Sequence, residues 1–328
     1  MPTRCYNSIE EAATELPHGP LHLAIGMFDG VHLGHHAVIE SAVLSARRSG
    51  GVAAVLTFWP HPSRLFRPES PVQLIMTPAL KNRQLARLGV DAVITQQFDR
   101  AFASIEANDF LPSLKRALPN LTTIYVGENW RFGKGRHGDI HLLVQTARDL
   151  GINVVSAPRI NQNEDPISST RIRNYLAEGR LEEANALLGY AYFAEGVVAP
   201  GKQLGRKLGF PTLNVVWEPD LRPRFGVYTV RVSGPKTATS LPAVANYGLR
   251  PTVENATIPR LEIHLLAPCP FGAGNELLIE WLSFLRPEQR FDSVESLRAQ
   301  ITVDRDAALT WFSRNKRSAA NKAEQSKV

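Results

Sequence analysis

With only two cysteines, Cys5 and Cys269, the chain cannot build a disulfide framework, a scarcity that fits a reducing compartment. No apolar run approaches the roughly 20 residues that span a bilayer. Residues 1–14 carry Glu10 and Glu11 and no apolar core of signal-peptide length. These absences predict a cytoplasmic protein without a membrane partner. No internal repeat occurs, and no G-x-x-x-x-G-K-[ST], so a P-loop kinase is excluded. Charged residues at 21% and hydrophobic ones at 44% exclude a disordered chain. The net charge of +6 is uneven: residues 313–328 hold Arg314, Lys316, Arg317, Lys322 and Lys327 against Glu324, leaving +2 for the rest. The excess reads as a frayed basic tail, and nucleic acid is not an expected partner.

A length of 328 residues fits two domains. From Leu21 to about Ser156, short apolar runs alternate with helical patterns, the mark of βαβ units and a parallel sheet. Leu21–Ile25, Val52–Phe58, Ala92–Thr95, Thr123–Val126 and Asn153–Ser156 read as strands. Thr77-Pro78 opens a helix that stops at Gly89, and His141–Leu150 stops at Gly151. Beyond Gly189 the period becomes two in Tyr192–Val198, Gly226–Val232, Arg260–Leu266 and Glu276–Phe284, which predicts an antiparallel sheet or small barrel. A closing helix runs from the Asp292/Ser293 cap to about Phe312. The pattern thus divides the chain into 1–188 and 189–328.

Two loops carry chemistry. Gly26-Met27-Phe28-Asp29-Gly30-Val31-His32-Leu33-Gly34-His35 follows the first strand, at the strand end where a helix N-terminus favours anions. His32 and His35 are three apart on the first helical turn, so both imidazoles face one way, toward a bound triphosphate. Gly34 between them leaves room for a nucleotide to approach. Such a pair can donate hydrogen bonds to phosphate oxygens as pyrophosphate leaves, which is nucleotidyl transfer by direct displacement. Gly26, Phe28, Asp29, Gly30 and Gly34 are therefore candidate ATP contacts. In Ile167-Ser168-Ser169-Thr170-Arg171-Ile172-Arg173, hydroxyls capping a helix and arginines in its first turns can hold the far phosphates, so Ser168, Ser169, Thr170 and Arg171 join the set. Residues Gly127–Asp139 contain a formal G-x-G-x-x-G from Gly133 to Gly138 that does not join a strand to a helix, so the match is accidental. Their aromatic and cationic side chains suit a flexible loop over a flat, anionic substrate.

The second loop, Gly201-Lys202-Gln203-Leu204-Gly205-Arg206-Lys207-Leu208-Gly209-Phe210-Pro211-Thr212-Leu213-Asn214, has a backbone that could wrap phosphates, with Gly201, Lys202, Gly205 and Lys207 as contacts. Thr212 and Asn214 are two apart and face one side of an extended segment. A hydroxyl and an amide oxygen are suitable hard ligands for Mg²⁺ beside ATP. Glu262, in Leu261-Glu262-Ile263-His264-Leu265, reads from pattern alone as an outward-facing solvated glutamate.

Together these motifs, with Phe58-Trp59-Pro60-His61-Pro62, Asn246-Tyr247-Gly248-Leu249-Arg250-Pro251-Thr252 and Leu285-Arg286-Pro287-Glu288, resemble the bacterial bifunctional riboflavin kinase and FMN adenylyltransferase family from about Leu21 to Phe312. The resemblance implies a Rossmann-like nucleotidyltransferase domain followed by a six-stranded antiparallel β-barrel with a terminal helix. It implies that riboflavin is phosphorylated to FMN at the barrel and FMN adenylylated to FAD at the N-terminal domain, with ATP and Mg²⁺ in both steps. It makes Glu262 the general base of the kinase and places flavin contacts at Pro62, Asn129, Arg131, Arg206 and Arg286. Asn129-Trp130 stands where Asp-Phe is common in that family, and Ala267-Pro268-Cys269 replaces a stretch that is often acidic. The rival readings are a nucleotidyltransferase of another phosphorylated substrate fused to a different kinase, and a flavin- or RNA-binding regulator without catalysis. Nothing in the sequence gives the oligomeric state.

Overall fold

A computed structural model describes residues 2–201, 205, 209–234, 240–249 and 259–325, with side chains as far as residue 316. By Cα proximity the chain divides into two compact units, Met1–Thr170 and Arg171–Val328.

The first unit is a sheet of six parallel strands, β1 (Arg4–Tyr6), β2 (Leu21–Ile25), β3 (Val52–Trp59), β4 (Ala92–Gln97), β5 (Leu121–Gly127) and β6 (Asn153–Ala157), in the order β1-β4-β3-β2-β5-β6. Around it lie α1 (Ile9–Glu15), α2 (Leu33–Ser49), α3 (Pro62–Phe66), α4 (Pro78–Arg87), α5 (Arg100–Ala103), α6 (Ala107–Ala117) and α7 (Ile140–Asp149). Central strands in such a sheet are covered on both faces, which is why every residue of β2 and the first seven of β3 are buried and apolar almost throughout. Helix starts follow their caps: the Thr77 hydroxyl accepts from Leu80 N–H, and the Asp139 carboxylate from Leu142 N–H. From β2 the chain winds outward through β3 and β4, then returns to place β5 on the other side of β2. That reversal is the switch point, where the strand ends open a crevice. The sequence reading lacks α1 and two further features. Strand β1 is a three-residue edge that pairs with β4. A hairpin joins β7 (Asn161–Gln162) to β8 (Asp165–Pro166) through Asn163 and Glu164, both at positive φ as a two-residue type I′ turn requires.

The second unit begins within α8 (Ser169–Glu178) and continues through α9 (Leu181–Leu188). Then come β9 (Phe193–Ala199), β10 (Leu213–Val216), β11 (Gly226–Ser233), β12 (Leu241–Leu249), β13 (Pro259–Leu265) and β14 (Glu276–Pro287), an antiparallel barrel closed in the order β10-β13-β12-β11-β14-β9. Alternation fills its interior with Tyr228, Val230, Ala245, Tyr247, Ile263 and Trp281, all fully buried. Asn185 of α9 ties that helix to the barrel: its amide N–H donates to the Trp281 carbonyl at 2.9 Å, and its oxygen accepts from Tyr192 N–H at 2.7 Å. The last helix, α10 (Val294–Gln325), starts where the Ser293 hydroxyl accepts from Ser296 N–H. It does not stop near Phe312. The stretch read as a frayed tail is helical to Gln325, since no glycine or proline interrupts it.

Candidate functional site

In the first unit the loop after β2 turns sharply, with Phe28, Gly30 and Val31 all at positive φ. Two of these carry a Cβ, so the conformation is held against local preference. His32 then takes the extended N-cap conformation of α2 without a side-chain cap bond, and its imidazole stacks on that of His35, with centroids 3.5 Å apart and planes 17° apart. Phe28 meets His35 edge-on at 5.3 Å. At Gly34 a Cβ would come within 3.2 Å of the His32 ring and 3.6 Å of the Ile167 carbonyl, so the missing side chain leaves room for the histidine as well.

The carboxylate of Asp29 is buried and both oxygens accept from Ile75 N–H at 3.1 Å, so it braces the loop. Ser169 gives its hydroxyl hydrogen to the Asp29 carbonyl at 2.8 Å, which brings two cues 140 residues apart into one place. Ser168 is half-buried beside it and Thr170 is exposed. Arg171 belongs to the second unit, where its Nε donates to the Tyr175 hydroxyl at 3.0 Å.

Beneath the loop lies a residue the sequence reading missed. Lys81 of α4 is 6% exposed, and its ammonium donates to Thr57 Oγ1 at 2.8 Å and to the Met27 carbonyl at 3.2 Å. Burial lowers its pKa to about 8, partly opposed by the charge of Asp29. The signal was present: Lys81 shares the buried side of α4 with Leu80, Gln84 and Leu85.

Pro62 opens α3, whose first turn is capped by the His61 ring: Nδ1 accepts from Ser63 N–H at 3.1 Å. The segment after β5 is not the flexible loop predicted. Trp130 stacks on Phe132 at 4.7 Å, Phe132 packs on Phe110 at 5.4 Å, and Phe132 and Gly138 exchange backbone hydrogen bonds. The aromatic rings therefore join the core and leave Asn129 and Arg131 exposed on the surface. Asn129 donates to Glu128 at 3.2 Å, and Arg131 lies 3.6 Å from the Asp139 carboxylate.

In the second unit, Glu262 on β13 is the Cα partner of Asn214 on β10 and of Asn246 on β12. Its neighbours Leu261 and Ile263 are buried, so by strand alternation the three polar residues form a row on the outer face of the barrel. Gly201 lies against Asn214, where a Cβ would collide with the amide. Gly205 accepts from Phe210 N–H at 2.8 Å. The His264 ring, two residues from Glu262, donates to the Pro211 carbonyl at 2.9 Å and so ties Phe210–Thr212 to β13, a contact the sequence reading did not foresee. Half-buried Thr212 and Asn214 together offer a hydroxyl and an amide oxygen, hard donors that suit Mg²⁺, and the Glu262 carboxylate stands opposite Asn214 across the strand pair. Lys202, Arg206 and Lys207 lie outside the described residues, as do Arg250, Pro251 and Thr252. Arg286 is engaged by the closing helix: its Nε and one terminal nitrogen each donate to Asp304 of α10 at 2.8 Å. A flavin contact there would have to use what that fork leaves over.

Residues 16–171 match the family model described as FAD synthetase, and residues 188–312 the one described as riboflavin kinase. A bifunctional riboflavin kinase/FMN adenylyltransferase of Escherichia coli (strain K12) is 37% identical over 290 residues, covering 88% of this chain and 92% of that protein. Its namesake from Listeria monocytogenes is 37% identical over 296 residues, covering 89% and 92%. A crystal structure described as a macrolide-efflux protein from Streptococcus pneumoniae superposes with a TM-score of 0.82 at 27% identity, covering 95% of this chain and 100% of its own. That likeness carries the fold, and no activity is taken from it. The two domain matches and the 37% identity across 88% of its length establish that the chain belongs to the bifunctional riboflavin kinase/FMN adenylyltransferase family.

Proposed function

We propose that the chain phosphorylates riboflavin to FMN and adenylylates FMN to FAD, each reaction in its own unit and each consuming ATP. The observation that supports this best is that each unit gathers its own polar set: stacked His32 and His35 beside Ser169 at the switch point, and Glu262 opposite Asn214 on the barrel. The functional division falls at 188/189.

In the adenylyl step a phosphate oxygen of FMN attacks the α-phosphorus of ATP, and the bond to pyrophosphate breaks. His32 and His35 donate to the oxygens on which charge accumulates, while Gly26, Gly30 and the hydroxyls of Ser168 and Thr170 contact the polyphosphate. Pro62, Asn129 and Arg131 contact the flavin. In the kinase step the terminal ribityl hydroxyl attacks the γ-phosphorus, Glu262 takes its proton, and ADP leaves. Gly201, Lys202, Gly205 and Lys207 hold the phosphates of that ATP, and Arg206 and Arg286 contact riboflavin. Thr212 and Asn214 would hold Mg²⁺, which when bound neutralises phosphate charge. The compartment is the cytoplasm.

The test is product identification. Purified protein incubated with riboflavin, ATP and Mg²⁺ should yield FMN and then FAD on chromatography, and FMN with ATP should yield FAD and pyrophosphate in equal amounts. Absence of both flavin nucleotides would contradict the proposal.

A further inference from the structure

Within the first unit, one buried cation is spent on the loop that carries the histidine pair. Burying an ammonium is costly unless its hydrogen bonds and a counter-charge are in place. Lys81 has both: the carbonyl of Met27, the hydroxyl of Thr57, and the neighbouring Asp29. Thr57 in turn gives its own hydrogen to the Met27 carbonyl at 3.1 Å. That carbonyl therefore receives two donors just before Phe28, the residue at φ 50 whose ring meets His35 edge-on. One residue further, the Asp29 side chain accepts from Ile75 and its carbonyl from Ser169. The turn is thus pinned on either side of Phe28, at Met27 from α4 and β3 and at Asp29 from the segment before α4 and the start of α8. Of these pins only Lys81 carries positive charge.

We propose that Lys81 is a positioning residue of the adenylyl-transfer site, its ammonium holding the Met27–Asp29 turn so that Phe28 fixes the His35 ring. The inference rests on the reading of His32 and His35 given above. It explains why a lysine occupies a buried position of α4 that an apolar residue would fill at lower cost. It also gives FAD formation an alkaline limit that FMN formation lacks. Titratable groups facing Lys81 are Asp29 and, across the small cavity beside it, His61. Near pH 8 the ammonium begins to lose its proton, and with the charge gone the amine holds the carbonyl and Asp29 more weakly.

The experiment compares the full-length protein with Lys81→Met, assaying FMN to FAD and riboflavin to FMN on the same preparations between about pH 7 and about pH 9. In the parent protein the ratio of FAD-forming to FMN-forming turnover should fall as pH passes about 8. The variant should lose about 10- to 100-fold in turnover of FMN, the scale of a misplaced reacting group. It should show no alkaline limb of that origin, and riboflavin phosphorylation should be unchanged. Equal FAD formation by variant and parent, or a parent ratio flat across the range, would overturn the inference. If the variant does not melt cooperatively, the parent profile decides alone. A parent protein that makes no FAD from FMN at any pH would instead refute the underlying reading.

Discussion

Asn214 and Glu262 stand opposite one another on β10 and β13, so the amide and the carboxylate share one face of the barrel although 48 residues separate them. A residue placed there by cross-strand register is testable by one atom. Glu262→Gln keeps the size of the side chain and removes the proton acceptor. Riboflavin phosphorylation should fall about 10²- to 10⁴-fold, the usual cost of a lost general base, while added FMN is still converted to FAD. Parent-rate phosphorylation would leave Glu262 a solvated strand residue with no part in the chemistry.

His35→Ala should have the reciprocal effect. Removing a preorganised donor to developing charge costs about 10²- to 10³-fold, and the loss should appear in turnover of FMN while FMN production from riboflavin continues. FMN would then accumulate from riboflavin in place of FAD. Unaltered FAD output would remove the histidine pair from the mechanism.

The pair between Arg286 and Asp304 should dominate the docking of α10 on the barrel. Asp304 is 5% exposed and receives both arms of the guanidinium, with Gln300 donating to it as well. Breaking a buried pair from one side typically costs about 3–5 kcal/mol. Asp304→Ala should lower the melting temperature of the barrel unit measurably. Unchanged melting would mean that the ion pair contributes nothing beyond its surroundings.

Stability should report on Lys81 in the opposite sense to activity. Its pKa is lowered from 10.5 to about 8 in the native state, so at pH values between these the unfolded chain binds more protons than the folded one. Stability therefore gains from this residue as pH rises through that window, and the desolvation cost is fully present below it. Denaturant unfolding of the parent, referred to Lys81→Met at each pH, should show a difference that grows in the parent's favour from about pH 8 to about pH 10. A constant difference would contradict the burial of a charged ammonium.

Much of the fold was legible because local rules and tertiary packing agree. The five strands read from Leu21 to Ser156 lie in the sheet, and the period-two runs after Gly189 lie in the barrel. The barrel strands not read were β10 and β12. The first has four residues, and two of them, Leu213 and Asn214, belong to the loop read for its phosphate chemistry. The second contains Pro242, Asn246 and Gly248, which weaken any strand pattern. Period and composition do not reveal where a side chain points. Asp29 and Trp130 look available in sequence, yet one turns its carboxylate to Ile75 and the other its ring to Phe132. Lys81 was passed over because a lysine on a helix is ordinarily solvated.

The central claim is that two chemistries occupy two separate sites, and mixing tests it most directly. The His32→Ala, His35→Ala double variant and Glu262→Gln are each supplied with riboflavin, ATP and Mg²⁺, alone and together. Neither alone should form FAD at more than a small fraction of the parent rate, whereas the mixture should form it after a lag as FMN passes from one protein to the other. FAD from either variant alone at the parent rate, or none from the mixture although each retains its single reaction, would contradict the account.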